Sequence, residues 1–221
     1  MTVASDPTRG PGGARHWPST VVRALVVTLV ISAEAYLIVV TGDRYNPSNH
    51  FSYFTILSNV FAAVLFAVSL VRPVPDGVRG AAVTFLLLTG VVANTLLLGV
   101  DVQTPAYASV VLHMVVPILV LVDWLITPPR TRLTTKHLLA WMVIPVAYLV
   151  YSLVRGALVD WYPYPFLDPR EQGYGMVAVM SVVVAIAFGA CAALVIWSGN
   201  RLRRRLRDSA GEAARERPEP G

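Results

Sequence analysis

The chain has 221 residues, of which 55% are hydrophobic and 14% charged, with a formal net charge of +5 and one cysteine. A soluble domain of this size carries about 25% charged residues, and here the charges fall almost entirely outside long apolar runs, which excludes an ordinary water-soluble globular domain. The lone Cys191 excludes an intrachain disulfide framework and a cysteine-based zinc site.

Residues 1–19 contain Pro, Gly and Arg and are expected to form a disordered cytoplasmic segment. They give way to an apolar run at about 20–41, longer than the hydrophobic region of a cleaved signal peptide, so a retained first helix is expected. Further runs follow at about 51–71, 80–99, 108–127, 138–155 and 174–197. Each approaches the ~20 residues that cross ~30 Å of hydrocarbon at ~1.5 Å per residue. Turn and breaker residues separate them: Gly42-Asp43 with Asn46-Pro47, Pro73 to Gly77, Gly99 to Pro105, Pro128-Pro129, and the proline-rich stretch 163–169. The runs are continuously apolar, where strands of a membrane barrel would alternate over ~10 residues. The expected fold is all-α, a bundle of six transmembrane helices over 20–199, followed by a basic, partly disordered cytoplasmic tail over 200–221.

Lysine and arginine counts set the orientation. With the amino terminus inside, Arg9, Arg15, Arg23, Arg72, Arg79, Arg130, Arg132, Lys136 and seven arginines from Arg201 to Arg217 lie inside, fifteen against the three outside, Arg44, Arg155 and Arg170. Both termini are therefore expected in the cytoplasm. The basic tail is expected to meet anionic headgroups, and no nucleic-acid partner is expected. The Ala-, Val- and Arg-rich, Lys-poor composition suggests a bacterial cytoplasmic membrane protein.

In that orientation the polar residues inside the helices gather in the outer half: Glu34, Thr55, Asn59, Asn94, His113, Tyr148, Tyr151 and Ser152. Ionisable groups in a membrane usually face a bundle interior or cavity, so several at one depth suggest one site. Thr55 and His113 each fall about five residues inside the outer end of their segments, and Thr55, Ser58 and Asn59 share a helix face. Pro117, four residues after His113, removes a helical donor and frees the carbonyl of His113. A histidine there can serve as base to a threonine, which is a poor nucleophile alone. Packing readings stand beside these: Thr and Ser bonding their own helix, Glu34 pairing with Arg44 or with a protonated partner rather than orienting His113, and Asn59 and Asn94 as interhelical glue. His16, His50 and His137 are weak candidates, and Trp17, Trp124, Trp141, Trp161, Tyr162 and Tyr164 suggest an interfacial belt. No G-x-S-x-G, H-E-x-x-H, P-loop, G-x-G-x-x-G or Cys/His ligand set occurs, and one histidine within a span is too few for paired haem ligation. No cofactor and no metal are expected.

Three stretches carry a family resemblance: Phe51-Ser52-Tyr53-Phe54-Thr55-Ile56-Leu57-Ser58-Asn59, then His113 with Pro117, and Trp161-Tyr162-Pro163-Tyr164-Pro165-Phe166-Leu167-Asp168. Together they resemble the androgen-induced protein and androgen-dependent tissue-factor-pathway-inhibitor-regulating protein family, in particular its bacterial six-helix branch, over nearly the whole membrane region. Animal members are membrane threonine hydrolases that cleave fatty acid esters of hydroxy fatty acids. The resemblance implies Thr55 as nucleophile and His113 as its histidine, with the acid ten residues later falling on Asp123. This chain departs from the animal pattern in its Ser58-Asn59 continuation and in the proline after the histidine, shifted by one position.

The expected function is hydrolysis of a lipid ester within the membrane by Thr55 and His113. Glu34, Ser58, Asn59, Asn94, Tyr151, Tyr164 and Asp168 would line the supporting polar pocket. Ser58, Asn59 or a loop tyrosine would supply the oxyanion donor, and Asp160 and Asp168 would shape the mouth. Membrane lipids and the ester substrate are the expected partners. The alternatives are a non-enzymatic lipid-binding or transport protein using the same pocket, and a structural membrane subunit.

Overall fold

The computed structural model describes residues 17–97 and 104–215. Among these residues there is no strand, and the helices run α1 (Trp17–Thr41), α2 (Pro47–His50), α3 (Phe54–Val71), α4 (Asp76–Ala93), α5 (Ala106–Val110), α6 (Val116–Ile126), α7 (Thr135–Val159) and α8 (Pro169–Arg215). A π-helical turn, Val111–Val115, joins α5 to α6, so that Ala106–Ile126 forms one span. With α1, α3, α4, α7 and α8 this makes six helices long and apolar enough to cross a membrane.

α4 is the hub. It packs on α3, α6 and α8, and 56% of its most apolar stretch is buried, against 11% for α7. α4 is the least apolar of the six spans, as suits a helix that faces other helices more than lipid, and Gly80, Ala81 and Ala82 supply small residues that let neighbours approach closely. Gly80 illustrates the approach: a Cβ there would lie 2.7 Å from the Trp141 ring. α1 packs on α3 and α6, and α7 has its main packing partner in α8. Large apolar side chains such as Ile31, Val64, Ile118, Val143 and Ile186 point outward.

Several boundaries differ from the sequence expectation, each for a local reason. α4 begins at Asp76 rather than near 80, with the acid in its first turn where the helix dipole favours it. It ends at Ala93, whereas the expected span ran to 99; residues 98 and 99 lie outside the described ones. α8 begins at Pro169 and breaks at Gly173, whose φ of 76° suits glycine. Within the basic tail α8 continues to Arg215, its Leu, Arg, Ala and Glu residues being strong helix formers, and residues 216–221 lie outside the described ones. The segment expected to be disordered at 1–19 lies outside the described residues up to position 16, and Trp17–Ser19 already belong to α1. Trp124 and Trp141 are not belt residues: both are buried, Trp124 fully.

The bundle end that carries the start of α1 and the basic stretch of α8, called here the basic face, holds a buried ion cluster. Asp123 Oδ1 accepts from Arg23 Nε at 2.7 Å and its Oδ2 from Arg79 Nη2 at 2.9 Å, tying α6 to α1 and α4. Arg79 also donates to the Thr127 carbonyl at 2.8 Å and lies over the Trp124 ring. Asp123 is 1% exposed and Arg79 6%. Breaking a buried pair by removing one partner leaves the other charge uncompensated, at a cost of about 3–5 kcal/mol. Asp123→Ala is therefore expected to lower stability by at least that much, read as a large drop in thermal midpoint in detergent, while Arg130→Ala on the exposed loop leaves the midpoint nearly unchanged.

Candidate active site

At the opposite end, α3 starts abruptly. Ser52 Oγ donates to the Ser48 carbonyl at 2.6 Å and pairs with the Tyr151 hydroxyl at 2.8 Å, while the Tyr148 hydroxyl donates to the Ser52 carbonyl at 2.7 Å. The chain before α3 is thus held against α7, and the helix begins at Phe54. Thr55 consequently occupies the second residue of α3 rather than a position five residues within it. Its N–H belongs to the unsatisfied first turn, at the positive end of the helix dipole.

His113 approaches from the π-helical turn. Pro117 has no N–H to offer the His113 carbonyl, and the ladder there is wider, with the Val116 N–H donating to the Val111 carbonyl. The imidazole Nδ1 lies 3.0 Å from the Ser109 carbonyl. A carbonyl only accepts, so Nδ1 carries the proton and Nε2 is left as an acceptor. Nε2 faces the Thr55 hydroxyl at 3.3 Å. The freed His113 carbonyl runs beside Gly90, where a Cβ would lie 3.1 Å from it.

The third participant comes from the aromatic loop between α7 and α8. The Tyr164 hydroxyl lies 3.3 Å from the Thr55 nitrogen, whose N–H it accepts, and 3.4 Å from Thr55 Oγ1. Its ring stacks on Phe166 and meets Tyr53 edge-on. Burial pushes the Tyr164 hydroxyl pKa up, which keeps the proton on it.

The remaining expected residues divide. Asn59 directs both amide hydrogens to carbonyls, that of Thr55 at 2.8 Å and that of Leu112 at 3.3 Å, so it braces α3 against the π turn and is not aimed at the Thr55 hydroxyl. Ser58 is buried and lines a different cavity, on the basic-face side. Glu34 neither pairs with Arg44 nor orients His113: its Oε2 lies 2.6 Å from His50 Nε2. Asn94 caps α4, donating to the Gly90 carbonyl at 2.8 Å, and Tyr151 acts one layer out through Ser52. Asp123 is engaged at the basic face, ten residues and about 15 Å of helix from His113. His50, a weak candidate in the sequence, lines the same cavity as Thr55 and His113; nothing in its spacing from Glu34 on a separate helix announced the pair.

Thr55 lies between two spaces. On the His113 side a cavity of about 590 Å³ is lined by polar groups including Arg44, His50, Asn94 and Ser109. On the other side, between α4, α7 and α8, a slot of about 100 Å³ is lined by Leu88, Val92, Leu149, Val184 and Phe188. Thr55 and Tyr164 border both. Among the described residues no cluster of His, Cys, Asp and Glu is arranged to hold a metal ion.

No protein-family model, curated protein or solved structure matches this chain.

Asp168 anchors the aromatic loop. Arg170 donates from Nε to its Oδ1 at 2.8 Å and from Nη2 to its Oδ2 at 2.5 Å, and also reaches Asp160. The hydrogen bonds from Arg170 hold the Asp168 carboxyl below its usual pKa. A carboxylate depressed in the folded state contributes stability above its unfolded pKa and loses it as pH falls through the folded one. Asp168→Asn is accordingly expected to lower the thermal midpoint at pH 7. The gap to wild type should close on acidification below the ordinary carboxylate range, as followed by near-UV circular dichroism in detergent.

Proposed function

We propose that this chain is an intramembrane hydrolase of a lipid ester, of the type found in fatty acid esters of hydroxy fatty acids, with Thr55 as nucleophile and His113 as base. The observation that carries the reading is the contact from Thr55 Oγ1 to an imidazole nitrogen whose tautomer is set by the Ser109 carbonyl. The resemblance to the threonine hydrolase family, carried by the same Thr55 and His113, supports it.

In this mechanism Thr55 Oγ1 attacks the acyl carbon while His113 Nε2 takes the hydroxyl proton. The tetrahedral oxyanion forms at the amino end of α3, where the Thr55 N–H and the Tyr164 hydroxyl supply donors and the helix dipole adds positive potential. Collapse breaks the ester C–O bond, and the proton on His113 passes to the departing alkoxide. Water then attacks the acyl-threonine, His113 takes its proton, and collapse of the second tetrahedral species returns that proton to Thr55 and releases the fatty acid. The apolar slot receives the first methylenes of the acyl chain. The polar cavity receives the alcohol part and the water.

The lysine and arginine bias supports an orientation with both termini in the cytoplasm, which sets Thr55 toward the outer face of a bacterial cytoplasmic membrane. Binding or transport of a lipid without turnover is the competing use of the same pocket.

Labelling of the detergent-purified protein by a lipid-like fluorophosphonate tests the proposal. Wild type is expected to label, and Thr55→Ala and His113→Ala, both shown to be folded, are expected to lose labelling and ester turnover. Absent labelling together with absent turnover in wild type would assign the pocket to lipid binding. Tyr164→Phe removes one oxyanion donor and is expected to lower kcat about 10²–10³-fold with KM little changed, measured on a chromogenic fatty acyl ester.

A further inference from the structure

A cavity larger than either space beside Thr55 lies away from it. It occupies about 1100 Å³ between α3, α4 and α7, from the basic face down to Ser58 and Tyr148. α7 has its main packing partner in α8 and meets α3 and α4 near both ends of the cavity. Trp141 Nε1 donates to the Gly77 carbonyl at 3.0 Å, and the Tyr148 ring meets that of Phe54 edge-on at 5.1 Å. The Phe54–Tyr148 pair closes the deep end and borders the apolar slot beside Thr55.

The mouth and the interior differ in chemistry. Arg23, Arg79, Arg130 and Lys136 line the mouth. Against these four cations stand two carboxylates, Asp123 and Asp76, leaving a surplus of two positive charges. Asp76 is already engaged, its Oδ2 accepting from the Arg130 and Thr131 nitrogens, each at 2.8 Å, and from Thr131 Oγ1 at 2.9 Å. Among the described residues the side chains of Arg130 and Lys136 have no protein partner. Arg79 keeps a buried Nε–H without a partner. Deeper, the walls are Leu57, Phe61, Phe85, Trp141 and Ile144. From Lys136 to Tyr148 the cavity follows α7 for about 18 Å at ~1.5 Å per residue.

A basic pocket between membrane helices, with surplus charge at the surface and an apolar well behind it, has the chemistry of an anionic amphiphile site. We infer that this cavity binds one acidic phospholipid, its phosphate held by Arg23, Arg79, Arg130 and Lys136 and an acyl chain lying between α3 and α7. Phosphate matches the mouth better than a carboxylate does, because the guanidinium and ammonium groups that line it carry more donors than Asp123 and the two oxygens of a carboxylate accept. The site is separate from Thr55, and its existence does not depend on the hydrolase reading.

Native mass spectrometry of the full chain in detergent, with phosphatidylglycerol, phosphatidylcholine of the same chains, or oleate, tests this. Phosphatidylglycerol is expected to bind one per chain, phosphatidylcholine not, and oleate is expected not to displace it. The double variant Arg130→Ala/Lys136→Ala should weaken binding at least about tenfold. Ala140→Trp, which fills the apolar well without altering charge, should weaken it as well. Both substitutions are at exposed positions, so either one carries the test if the other fails to fold. Equal binding of the two phospholipids, full retention by Ala140→Trp, or displacement by equimolar oleate would each overturn the assignment.

Discussion

Asp123 joins three membrane-length helices through charge. One carboxylate, almost fully shielded from solvent, accepts from α1 and α4 at once, and in a low-dielectric setting its removal would strand two guanidinium groups. Such a contact tolerates little rotation, so it sets which face of α6 turns inward. The same face, followed along the span, determines where His113 arrives. His113 itself sits in the π turn, which adds a residue to one turn and so shifts the bearing of what it carries relative to a continuous α-helix. The ion cluster and the widened turn are thus two settings of one span: the first fixes its register on the basic side, and the second aims its histidine.

Thr55 is placed by a different device. The helix that carries it is stopped just short of it by Ser52, Tyr148 and Tyr151, so the hydroxyl and the N–H of one residue both emerge in the first turn of a buried helix end. Had α3 started several residues earlier, the Thr55 N–H would be spent within the helix and its hydroxyl would be one more side chain bonded to its own backbone. The aromatic loop completes the arrangement from the far side of the bundle, because Tyr164 reaches a residue more than one hundred positions away in sequence.

Six apolar segments were legible in the sequence because hydrocarbon imposes a length and forbids charge within it, and the structure has six helices of that kind. That Thr55 and His113 could face each other was legible from counting residues along their segments and from the family resemblance, and the structure sets them 3.3 Å apart. Azimuth was not legible. Depth follows from counting residues, but which way a side chain points around its helix depends on packing and on irregular turns, and the π turn at Val111–Val115 has no sharper trace in the sequence than Pro117. The same gap explains Glu34, for which Arg44, a protonated partner and His113 all stood as alternatives and whose partner is His50, and Asp123, whose ten-residue spacing from His113 concealed the helix length between them. Tyr164 was legible both as a belt residue and as a pocket candidate, but only tertiary contact brings its hydroxyl to the amino end of α3. The buried arginines were counted as topology signals, a use that takes no account of what each charge touches.

Helix α8 does not stop where its apolar stretch does. Past Trp197 it continues as regular helix to Arg215, eighteen residues or about 27 Å at ~1.5 Å each, with the Arg201 guanidinium lying over the Trp197 ring at the point of transition. A rod of that length behaves as a spacer with a defined bearing. Anything fused beyond it is held off the bundle at a distance and direction set by α8, so a fluorophore carried there would report tilting of the helix that forms one wall of the apolar slot.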